Sequence, residues 1–239
     1  MGTFKSDLSG ICKEVAGEFQ GWSFVSDVFK NKTLEHTELQ VAPCFGFKHG
    51  DSTPLQPTTA IFNKKAMALS KQILGTDGPT SVILFKHLMD DLKNTPENLR
   101  GHCWIVKDKQ LFMKLAPSAK EMEDKYVDIS EARSVLKAAL QDGILILKKY
   151  FDFSGEERLL NGLPPKYVPS NHIVYDEMER YKGVMVCIVR ILSGDFDFVE
   201  RYASDDFVTT FPKRRAELDK VIAALPDLKR RYIETGSVI

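Results

Sequence analysis

Two alternating runs decide the fold: Trp22-Ser-Phe-Val-Ser-Asp-Val-Phe-Lys30 and Leu39-Gln-Val-Ala-Pro-Cys-Phe-Gly-Phe-Lys48. Successive side chains on a strand point to opposite faces. In the first run Trp22, Phe24, Ser26 and Val28 share one face, while Val25 and Phe29 share the other. In the second, Leu39, Val41, Phe45 and Phe47 fall on one side. Polar Lys30–His36 between them is a turn by composition, so the pair predicts an antiparallel hairpin. Pro43 has no N–H for a ladder, which places the second strand at an edge or gives it a bulge.

Working outward, Phe4, Leu8, Ile11, Cys12, Val15 and Phe19 recur at helical spacing before Gly21, so a helix precedes the strands. The stretch from Gly50 through Thr53-Pro-Leu-Gln-Pro57 is a loop by composition. Thr58–Phe62 can return as a third strand. Asn63 then stands where an N-cap belongs, before a helix over Lys64–Leu74. Ser81–Phe85 and His102–Val106 are short, apolar strand candidates.

After Pro117 the period changes. Ser130 can cap a helix reaching Phe151, with an interruption at Gly143. Gly162–Asn171, with three prolines, is the clearest linker. His172–Leu192 is apolar almost all round in its middle, as a central core helix is. Phe196–Tyr202, Lys213–Leu225 and, after Pro226, Leu228–Ile233 complete the series. Strands first and helices last is an α+β pattern, with an antiparallel sheet in the front half. Residues 1–116 are expected to form the sheet region and residues 117–239 a helical region packed on it as one unit.

Charge narrows the function classes. Lys+Arg and Asp+Glu are equal at 33 each, and residues 1–117 hold 14 basic and 12 acidic side chains. Neither half is a basic arm, so nucleic acid is not an expected partner. The longest apolar run, Val184–Val189, is far short of the roughly 20 residues a membrane span needs. The N-terminal stretch lacks the apolar h-region of a secretory signal. A cytoplasmic protein that does not enter membranes is expected. Cys12, Cys44, Cys103 and Cys187 form no CxxC pair and are expected as free thiols.

Local motifs for chemistry are missing. Neither GxGxxG nor GxxxxGK[ST] occurs, and Gly75-Thr-Asp-Gly-Pro79 ends a helix instead of opening one onto an anion. No HxxxH, HExxH or HxH spacing links His36, His49, His87, His102 and His172, so neither metal nor cofactor is expected. Cys44 and His49 would need a turn at Gly46 to meet. His49, Asp51, His102 and Cys103 remain as a polar site that only the fold could assemble. Lys213, Arg214 and Arg215 place positive charge in a first helical turn, where the macrodipole disfavours it. That points to a bound anion or partner, or to compensation by Asp205 and Asp206.

Gly21-Trp-Ser-Phe24, Phe29-Lys-Asn-Lys32, the Leu39–Phe47 strand, Thr58–Asn63 and Phe196–Tyr202 together carry a resemblance. The front half resembles a bacterial family of uncharacterised proteins with a helix–hairpin–strand–helix start. That resemblance implies an α+β fold and no catalytic residue. Two functional expectations follow. One is a non-enzymatic bacterial interaction or accessory (immunity-like) protein, acting on an unknown protein partner or by self-association. The other is an enzyme or small-ligand protein with a site assembled between the two halves.

Overall fold

The computed structural model describes residues 3–47, 50–75, 82–87, 93–100, 103–115, 123–161, 176–204 and 214–239. The first helix, α1 (Phe4–Gly17), starts where the Thr3 hydroxyl accepts from the Ser6 N–H, and it buries Phe4, Leu8, Cys12 and Val15 along one stripe. After it, Gly21 takes a positive φ of 78°, and a Cβ there would meet Thr33 Cγ2 at 2.7 Å. Glycine alone fits both demands.

The first alternating run is not one strand. It breaks into β1 (Trp22–Val25) and β2 (Val28–Asn31), paired antiparallel with Phe24 opposite Phe29. Ser26 and Asp27 between them have φ of 54° and 60°. Two consecutive positive φ angles match a type I′ hairpin turn, whose twist suits the flanking strands. In β3 (Thr37–Ala42) Leu39 and Val41 point inward as the alternation predicts, but the strand ends before Pro43. Phe45 and Phe47 therefore lie off the strand, and Phe47 packs edge-on against Phe4.

The expected loop contains β4 (Ser52–Leu55). It pairs antiparallel with β7 (Cys103–Val106), and β7 pairs parallel with β8 (Tyr126–Asp128). Pro54 is tolerated because β4 is an edge strand of the order β4-β7-β8, where half the N–H groups face away from the ladder. The second sheet runs β1-β2-β3-β5-β6, with β5 (Thr58–Asn63) and β6 (Val82–His87). Helix α2 (Lys64–Leu74) begins as expected, with the Asn63 side chain accepting from the Ala66 N–H at 2.9 Å.

Helix α3 (Lys109–Leu115) was not foreseen; α4 (Ala132–Tyr150) runs unbroken through Gly143. α5 (Glu156–Asn161), α6 (Asp176–Leu192) and α7 (Phe196–Ser204) follow. The last helix, α8 (Arg215–Thr235), is a single element, not two split at Pro226. Pro226 is on its exposed side, where water can take the carbonyl its ring deprives of a partner, while buried Leu225 and Leu228 hold the helix on both sides.

The chain forms an α+β fold divided into two compact units, neither of them a contiguous half. One comprises Met1–Thr33, Glu38–Ala60 and Phe85–Tyr150, so the boundary expected at residue 117 falls inside it. Its core sets α1 against α4 and β1. On α4, buried Asp142 accepts from the N–H groups of Lys93, Asn94 and Thr95, from the Asn94 amide and from the Thr95 hydroxyl, at 2.8–3.0 Å. Burial pushes this carboxyl up, but the Asn94, Thr95 and Lys93 amides outweigh it and hold the group below the ordinary carboxylate range. Arg100 returns to the same loop, donating to the Thr95 and Lys93 carbonyls.

The other unit comprises Leu34–Thr37, Ile61–Leu84 and Phe151–Ile239. Val184 through Val189 on α6 are all buried, as expected of a central helix, and α6 packs on α2, α7 and α8. Glu156 of α5 accepts from the His36 N–H, the Thr37 hydroxyl and the Asn63 amide. One carboxylate thus ties a helix start to the cap of α2.

Candidate functional site

A cleft lies in the first unit, around the short helix α3. Asp108 starts that helix: its Oδ1 accepts from the Leu111 N–H at 2.9 Å and its carbonyl from the Phe112 N–H. Seven residues make a marginal helix alone. Tertiary contact fixes it, since Phe112 and Met113 pack on Val106 and Tyr126 of the β4-β7-β8 sheet. The Phe112 ring lies 6.2 Å from Trp104 and 5.0 Å from Tyr126. Beside it the Lys107 N–H donates to the Asp51 carbonyl at 2.8 Å, extending the β4–β7 ladder, and Lys107 Nζ lies 3.7 Å from Asp51 Oδ1.

Asp51, Lys107, Asp108, Leu111 and Phe112 line a cleft of about 330 Å³. Leu111 is 51% exposed, and the side chains of Asp51 and Lys107 are 71% and 64% exposed. An ion pair this long and this wet contributes little, roughly 0–1 kcal/mol. Next to Asp51, Ser52 is 1% exposed, and its hydroxyl has no hydrogen-bond partner among the described residues. Leaving such a group unpaired costs about 1–3 kcal/mol.

The register separates the polar residues marked out in the sequence. Asp51 precedes Ser52, which opposes Val106, whereas Cys103 opposes Leu55 at the other end of the ladder. Four residues along a strand is about 13 Å. Cys103 is also fully buried, and burial pushes its thiol up to about 12, the behaviour of an inert core cysteine. His49, His102 and Lys213 lie outside the described residues, as do Asp205 and Asp206. Arg214 pairs with Glu217 at 2.8 Å and Arg215 with Asp219 at 2.8 Å. Positive charge at the start of α8 is thus met by carboxylates one turn on.

A second, shallower hollow lined by Glu18, Ser130, Glu131, Arg133, Ser134 and Lys137 is mostly an ion-pair network joining α1 to α4. Hydrogen bonds from Lys137 and then Arg133 hold the Glu18 carboxyl below its ordinary value, and Arg133 also reaches Glu14. Among the described residues no three His, Cys, Asp or Glu side chains converge as a metal site requires, and no helix is long and apolar enough to cross a membrane.

Of the cleft, sequence reasoning marked only Asp51. One signal for the rest was present, since Asp108 followed by Leu111-Phe-Met113 is an N-cap before an apolar turn. Comparison with protein-family models, curated proteins and solved structures found no match.

Proposed function

We propose that this chain is a non-enzymatic interaction protein of a bacterial accessory, immunity-like type, and that it holds a protein partner at the α3 cleft. The observation that carries this reading is Leu111: a half-exposed leucine at the mouth of a cleft, backed by Phe112 and rimmed by Asp51, Lys107 and Asp108. An apolar centre inside a charged rim is the anatomy of a protein contact. Cys103 supplies no nucleophile at the same place, because it is buried away from Asp51 with its thiol pushed up.

The test is site-specific photocrosslinking. A benzoylphenylalanine replacing Leu111 is expected to trap one protein in cells producing the chain, whereas the same probe at exposed Ile233 does not. Purified, that protein should bind the natural chain and lose at least about tenfold in affinity to Leu111→Asp, in line with loss of a central apolar contact of 1.4 kcal/mol or more. Equal trapping from both positions, or unchanged affinity with Leu111→Asp, sinks the reading.

A further inference from the structure

The strand register sorts the small sheet into two faces. Thr53, Leu55, Cys103, Ile105 and Val127 occupy one, and all are buried. Ser52, Pro54, Trp104, Val106 and Tyr126 occupy the other. The second face is the one α3 covers, because Phe112 and Met113 pack on Val106, Tyr126 and Trp104. The buried, unpartnered Ser52 hydroxyl therefore points to the α3 side, at the end of the ladder where Asp51 and Lys107 border the cleft. Ser52 itself does not line the cleft, which offers an apolar wall and a surplus of carboxylate among the described residues, and so describes a ligand with two parts.

Resting on the interaction reading above, we infer that the α3 cleft binds an extended peptide segment in which an apolar side chain stands next to a basic one. The apolar side chain packs on Leu111 and Phe112. The cation meets Asp51 and Asp108, which among the described lining residues are two carboxylates against one ammonium, that of Lys107. Asp51 can exchange partners readily, since its contact to Lys107 is 3.7 Å long and open to water. Asp108 spends one oxygen on the Leu111 N–H, and no described group binds the other. About 330 Å³ suits one anchored side chain and its neighbour, at the lower end of the range for ligand sites.

The probe is a set of capped tetrapeptides titrated into the full chain carrying Trp22→Phe, so that the fluorescence reports Trp104 alone. The peptide with leucine before arginine is expected to bind about tenfold tighter than those with leucine before glutamate or alanine before arginine, and to weaken as salt rises. Asp51→Asn with Asp108→Asn should abolish the preference for arginine, asparagine at 108 keeping the helix cap. Equal affinity for the arginine and glutamate peptides, or no response of Trp104 and of the 104–112 amide resonances at millimolar peptide, overturns the inference. Those results leave the Leu111 crosslink untouched, so the two ideas fail separately.

Discussion

Gly143 of α4 lies so close to Val41 of β3 that a Cβ built on the glycine would come 2.5 Å from the valine Cγ2. The residue that a helical pattern treats as an interruption is a point of close approach between α4 and β3. Gly143→Ala removes a residue costing about 1 kcal/mol in a helix interior. The clash with a β-branched, fully buried neighbour outweighs that gain, and overpacking of this kind costs about 1–3 kcal/mol. A lower urea midpoint at unchanged m-value is expected, and Gly143→Ala with Val41→Ala should recover part of the loss.

Asp142 makes the first unit acid-sensitive. Its folded-state carboxyl sits below the ordinary value of about 3.9, so the unfolded chain takes up the proton more readily. Its contribution is complete above about pH 4 and is lost as pH falls through the lower, folded value. Asp142→Asn keeps the shape but faces the 93–95 amides with an NH₂ group, at a cost of about 2–3 kcal/mol. Its pH–stability curve should be flatter than the natural one below pH 4. Parallel curves would refute the assignment.

The Ser26-Asp27 turn should be improvable. Both residues carry positive φ, which glycine and asparagine accept more readily. Ser26→Asn with Asp27→Gly is expected to stabilise by about 0.5–1 kcal/mol, or roughly 2–4 °C in Tm. The lost Lys5–Asp27 pair is solvent-exposed and offsets little of this.

Glu156 is expected to matter beyond its exposed neighbour Glu157. Glu156→Ala strips the His36 N–H and the Thr37 hydroxyl of their acceptor and leaves the Asn63 amide only the Thr37 oxygen, for about 2–3 kcal/mol by denaturant titration. Glu156→Gln, with one acceptor oxygen instead of two, should fall between. Glu157→Ala should change little.

Thiol labelling distinguishes the cysteines. Burial pushes Cys12 and Cys103 up to about 12, and Cys187 further. At pH 8 the native chain should label Cys103 on the order of 1,000-fold more slowly than a free cysteine. Cys44 is the accessible one, and although burial of its sulfur raises it too, it should react first. Rapid native labelling of Cys103 would reopen a thiol-based chemistry.

What was legible in the chain was local. Asn63 before the Ala66-Leu69-Ser70 stripe announced α2, and Leu39 with Val41 announced the buried face of β3. What was hidden depended on distant partners. β4 contains Pro54 and becomes a strand only because β7 pairs with it. The Asp142 clamp joins a helix to a loop nearly fifty residues earlier, and no spacing rule connects them. The cleft followed the same pattern: Asp51 was visible as a polar residue, but Lys107 and Leu111 acquire meaning only once the β4–β7 ladder sets them beside it.

The interleaving of the two units has a consequence for synthesis. Leu34–Thr37 and Ile61–Leu84 belong with Phe151–Ile239, so early-made segments must wait for the last ninety or so residues to emerge. No single backbone cut separates the two units cleanly, and a chain ending near residue 150 holds every segment of one unit together with two orphaned pieces of the other. Such a chain is a substrate for chaperones, not a half-sized version of the protein.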